Sequence, residues 1–100
     1  MSFVRTTISI SGFGEPEFHS GIAHLIAEFR ERPWIVCPSA SWDSDRERVV
    51  VRIHYEGDDL EYYSRAALDE VWDCVIACFD FASEAIHFDI DESRLSESIR

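Results

Sequence analysis

Along the start of the chain Val4, Thr6, Ile8 and Ile10 alternate with Arg5, Thr7 and Ser9, the period of a half-buried strand. The period then changes. Phe18, Ile22, Leu25, Ile26 and Phe29 recur at helical spacing, Pro16 suits a first helical turn and Pro33 stops the run, which predicts an amphipathic helix over residues 16–31. A second strand is read from Trp34 to Ala40, and Pro38 confines it to a sheet edge because proline cannot donate to a ladder. The polar stretch Trp42-Asp43-Ser44-Asp45-Arg46 then reads as a hairpin connection into a β-branched strand, Arg48 to Tyr55. Asp58 or Asp59 can cap a second helix in which Leu60, Ser64, Ala67, Leu68, Val71, Val75 and Cys78 form one stripe, ending near Phe79. A last strand, Ala85 to Ile90, turns Ile86, Phe88 and Ile90 to one side and His87 and Asp89 to the other. Residues 92–100 are polar and are expected to form a tail to a single domain over 1–91.

A chain of 100 residues has room for one core. The order strand, helix, strand, strand, helix, strand, closed by two right-handed crossovers, predicts an α+β domain of ferredoxin-like βαββαβ type. Its four-stranded antiparallel sheet carries both helices on one face, in the strand order fourth, first, third, second, which sets the Pro38 strand at an edge.

The glycines of "SISGFGEPEFHSG" invite comparison with a phosphate-cradling loop, but the third glycine comes seven residues after the second and Glu15 and Glu17 occupy the first helical turn. A turn at Gly12 and Gly14, and close helix-to-sheet packing at Gly21, account for them instead. A glycine turn followed by "SGIAHLIAEFRERPWIVCPSAS" and "RVVVRIHYEG" resembles the layout of ACT domains over roughly residues 4–80. That resemblance implies a small regulatory module that binds amino acids or similar ligands between subunits.

Charge narrows the partners. Twenty acidic residues against nine basic ones, all arginine, give a formal charge of −11, which repels nucleic acid and anionic membrane surfaces. Much of the surplus lies at Asp58, Asp59, Glu61, Asp69, Glu70, Asp73 and Asp80, a solvated face or a mimic of a polyanion for a basic partner. No signal-like segment or long apolar run occurs, and three cysteines fit no disulfide framework, so a cytoplasmic protein is expected.

Against that acidic background, alternation gathers Arg5, Thr7, Ser9, Val50, Arg52, His54, His87 and Asp89 on the sheet face without helices, with Trp34 and Val36 from the edge strand. The functional reading is a pocket for a small anionic ligand formed by Arg5, Arg52, His54 and His87, the arginines as forked donors and the histidines as polar or proton-transferring groups. The plain reading is a solvated face, or one buried against a second copy with arginine paired to Asp89. Trp72, Ile76 and Phe79 form a second stripe on the second helix, an interface candidate. Cys74 and Cys78 read as small buried hydrophobes, and no metal site or cofactor is expected, since Cys37 and His24 do not complete a ligand set. Asp43 and Asp45 read as turn residues.

With no nucleophile elbow and no recognisable carboxylate pair, the leading expectation is a non-enzymatic, homo-oligomeric binding or regulatory module. An acidic protein-interaction adaptor or inhibitor is one alternative, and a small enzyme using sheet-face histidines is the other.

Overall fold

The computed structural model describes residues 1–79 and 86–97. Strand β1 spans Phe3–Ser11, helix α1 Glu15–Arg30, strands β2 and β3 Val36–Asp43 and Arg48–Glu56, helix α2 Leu60–Cys78 and strand β4 His87–Ser96. Every strand pairing is antiparallel and the order is β2-β3-β1-β4, the ferredoxin-like arrangement that the alternation predicted. Val4, Ile8 and Ile10 of β1 and Val49, Val51 and Ile53 of β3 are buried on the side where Phe18, Leu25 and Phe29 of α1 meet Ala67, Val71, Cys74 and Val75 of α2. No helix among the described residues is long and apolar enough to cross a membrane.

Local chemistry fixes the element ends. Gly14 stands at the N-cap of α1 with Pro16 in the first turn, and Glu15 and Glu17 favour the positive end of the helix dipole. Asp59 caps α2, its carboxylate accepting the Tyr62 N–H at 3.0 Å. Asp43 Oδ1 accepts the N–H groups of Asp45 and Arg46 at 3.1 and 3.4 Å, so the Asp43 side chain acts as turn chemistry, with Asp45 taking part through its backbone. Pro38 lies on the edge strand β2, where the register with β3 shifts between Val36 and Ser39 and Cys37 takes a φ of 47°.

Three sequence expectations need correction. The polar stretch read as a tail from residue 92 is strand as far as Ser96. Its register against β1 slips between Thr7 and Ile8, which leaves Asp91 without an opposite residue, the signature of a β-bulge. Polar residues suit both sides there: Ser93 bonds the buried Thr6 at 3.0 Å and also Ser64 of α2, while Glu92 and Arg94 point to the other face. Phe79, expected on an exposed stripe, is buried, because α2 ends at Cys78 and the extended backbone of Phe79 (φ −122°, ψ 134°) turns its ring inward. Gly21 packs against that ring rather than against the sheet. A Cβ at Gly21 would stand 2.3 Å from Phe79 Cε1.

Candidate functional site

On the sheet face away from the helices, β1 and β3 set Arg5 opposite His54 and Thr7 opposite Arg52, and β2 sets Val36 opposite His54. Three of the four expected ligand-binding residues therefore meet. His54 is only 5% exposed, and its Nδ1 lies 3.1 Å from the Val36 carbonyl oxygen. A carbonyl can only accept, so Nδ1 carries the proton and the neutral ring keeps its lone pair on Nε2. Burial pushes His54 below its ordinary 6.5, the Val36 carbonyl pulls it partly back, and the charges of Arg5 and Arg52 press it down.

Arg5 is largely covered. Its Nη2 reaches Glu92 Oε1 at 3.5 Å, while its Nε is buried with no hydrogen-bond partner among the described residues. Arg52 is exposed, and its Nε donates to Thr7 Oγ1 at 3.3 Å. The cluster is thus a neutral imidazole flanked by two cations, one of which holds an unused buried donor.

His87 does not join it. It shares the face but pairs with Ser11, six residues along β1 from Arg5, a separation of about 20 Å at strand rise. Asp89, expected to pair with arginine, forms no ion pair among the described residues; Glu92 takes Arg5 and Arg94 (3.5 and 3.2 Å), and Asp91 takes Arg48 (3.4 Å) and Ser9 (2.9 Å). Sequence reasoning missed Arg48, Asp91, Glu92 and Arg94. Strict alternation cannot turn Asp91 and Glu92 to the same side, and the bulge does. Trp34 was also misplaced: its indole N–H donates to Glu70 of α2, on the helix side of the sheet.

Elsewhere, Trp72 and Ile76 remain partly exposed at 38% each, with Trp72 packed on Phe88 at a ring separation of 4.8 Å. Cys74 is buried, and burial raises its thiol to about 11, so it is held protonated as a small apolar filler. An open cleft of about 1010 Å³ lies beside the glycine turn, lined by Phe13, Ser20, His24 and Trp42 among others. Glu15, Glu17 and Glu47 also line it, so the segment that resembled a phosphate loop opens on carboxylates.

No family model matches this sequence and no curated protein does. Two solved structures share its architecture. One, from Chloroflexus aurantiacus J-10-fl, carries the name putative antibiotic biosynthesis monooxygenase; it is 12% identical with a TM-score of 0.50, over 97% of this chain and 94% of that one. The other, from Bordetella bronchiseptica and named in the same way, is 13% identical with a TM-score of 0.53 over the whole of both chains. At this identity the likeness carries the fold. It supports the ferredoxin-like layout that the ACT resemblance implied, without pointing to ACT domains in particular. The expectation of a non-enzymatic regulatory module is overturned by these neighbours, both named as enzymes, and the enzyme alternative fits them better.

Proposed function

We propose that the chain is a small enzyme whose chemistry lies on the sheet face, with His54 as proton acceptor and Arg5 and Arg52 holding the anion that forms. The carrying observation is the pairing of His54, fixed by Val36 with its lone pair on Nε2, with Arg5, whose buried Nε lacks a partner among the described residues. A base that is neutral near pH 7 beside two fixed cations suits removal of a proton from an acidic C–H or O–H group, the charge passing to an oxygen that the guanidiniums can bind.

The neighbours' names make oxygenation the reaction class to test. A carbanion or phenolate is the electron-rich form that an oxidant attacks. For an acidic methylene the sum R–CH2–R′ + O2 → R–CO–R′ + H2O closes in atoms and electrons with dioxygen as oxidant. The test is dioxygen uptake over a panel of phenols and carbon acids. Uptake is expected to depend on the protein, with kcat/KM falling toward acid along a limb centred below 6.5, because only neutral His54 accepts the proton. The same depressed value predicts that folding stability is full above 6.5 and declines as pH falls from there toward the folded-state value, since the unfolded chain binds the proton first. No turnover across the panel, or an acidic limb centred above 6.5, would sink the proposal.

A second copy closing over this face would exclude water from the cluster, and its alternating Asp43, Arg48, Asp91 and Arg5, Glu92, Arg94 charges are of the kind that can pair with their own image. Light scattering is expected to give a dimer that Arg52→Glu converts to a monomer and Trp72→Ala leaves intact. A monomeric native protein would contradict the closure.

A further inference from the structure

On the opposite side of the sheet, a cleft of about 390 Å³ lies between α2 and the end of β3, lined by Trp34, Tyr55, Tyr62, Tyr63, Ala66, Asp69, Glu70 and Asp73. Its aromatic walls are ordered. Tyr55 and Tyr63 stack at 5.3 Å and 23°, and Tyr62 meets Tyr63 nearly at right angles, at 5.1 Å and 80°. Tyr63 lies over Gly57, where a Cβ would stand 2.4 Å from its ring and where φ is +150°, so this glycine both makes the turn and leaves room for the ring. Trp34 is pinned through its indole N–H to Glu70, Glu70 to Arg32 at 3.4 Å, and Arg32 to Glu28 at 3.1 Å.

Tyr55 is 95% buried by difference from its 5% exposure, and its Oη has no hydrogen-bond partner among the described residues. Burial, with Glu70 next, pushes its phenol well above the ordinary 10.0, so the hydroxyl stays neutral and can accept a hydrogen bond. Asp69 and Asp73 at the rim form no ion pair among the described residues, whereas the nearby cation, Arg32, is already met by Glu28 and Glu70.

We propose that this cleft binds a small organic ammonium ion bearing at least one N–H. The exposed rings of Trp34 and Tyr62 attract a cation through their quadrupoles, the rim carboxylates supply the opposite charge, and an N–H of the ligand gives Tyr55 Oη the partner it lacks. An anion would meet Asp69, Glu70 and Asp73, and a neutral apolar guest would leave the hydroxyl unpaired. The site is separate from the His54 cluster and does not rest on the enzymatic reading.

The test titrates isotope-labelled protein with n-butylammonium chloride, following the three indole N–H resonances by NMR, with tetramethylammonium chloride and n-butanol in parallel. Saturable movement of the Trp34 resonance is expected with n-butylammonium, weaker movement with tetramethylammonium and none with n-butanol. Tyr62 is 63% exposed, so Tyr62→Ala should leave the fold intact while weakening n-butylammonium binding roughly fivefold. Tyr55→Phe removes only the unpaired hydroxyl and should weaken n-butylammonium while leaving tetramethylammonium unchanged. An unsaturable response, equal movement of all three indoles, or an equal response to n-butanol overturns the site. Equal binding of the two cations, untouched by Tyr55→Phe, overturns the N–H requirement.

Discussion

His54→Asn is expected to lower kcat by about 10²- to 10⁴-fold, the range for loss of a positioned proton-transfer group, while leaving the fold intact. The substitution is chosen on geometry. Asparagine Nδ2–H can stand where the histidine Nδ1–H donates to the Val36 carbonyl, so the buried bond persists while the Nε2 lone pair is removed. Asparagine also cannot protonate, so the stability loss below pH 6.5 should disappear together with the acidic limb of kcat/KM. Activity profiles and urea midpoints measured on both proteins across that pH range decide it. Full activity in His54→Asn would mean that the proton acceptor lies elsewhere, and retained acid sensitivity of stability would mean that another group governs it.

The alternation of β1 and β3 made Arg5, Arg52 and His54 legible as neighbours, because period two fixes which residues share a face once the strands are known. Position along the strand is a separate matter. It depends on register, so His87 could be placed on the correct face and still stand at the far end from Arg5. The bulge at Asp91 was hidden for a related reason: it breaks the alternation on which the reading relied, and an edge strand with Ser93 on one side and Glu92 and Arg94 on the other has no hydrophobic period to detect. Phe79 was misplaced by extending a helical stripe one residue beyond the helix. Trp34 was misplaced because β2 starts only at Val36, which leaves Trp34 in the preceding loop, and the cleft it helps to form was invisible because its contact with Glu70 spans 36 positions of sequence.

Phe29→Ala is expected to destabilise the domain by about 3–5 kcal/mol, the usual cost of removing a fully buried aromatic ring. Phe29 is 0% exposed in the last turns of α1, within the buried cluster that includes Ile53, Val71 and Cys74. The strands beneath are tied by ladders on both sides, so the sheet cannot follow the shortened side chain inward and the space stays largely empty. For a domain of this length the loss corresponds to a fall in Tm on the order of 15–25 °C. Phe29→Leu, which keeps most of the volume, should cost only about 1 kcal/mol. Urea titrations of the three proteins followed by circular dichroism test this, and a loss below about 1 kcal/mol for the alanine variant would show that α1 can repack. The sheet separates Phe29 from the His54 cluster, so below its lowered Tm the alanine variant should keep native kcat and its native acidic limb. Loss of turnover while the variant is still folded would mean that α1 positions the site through the sheet, contrary to the separation of core and candidate site on its two faces.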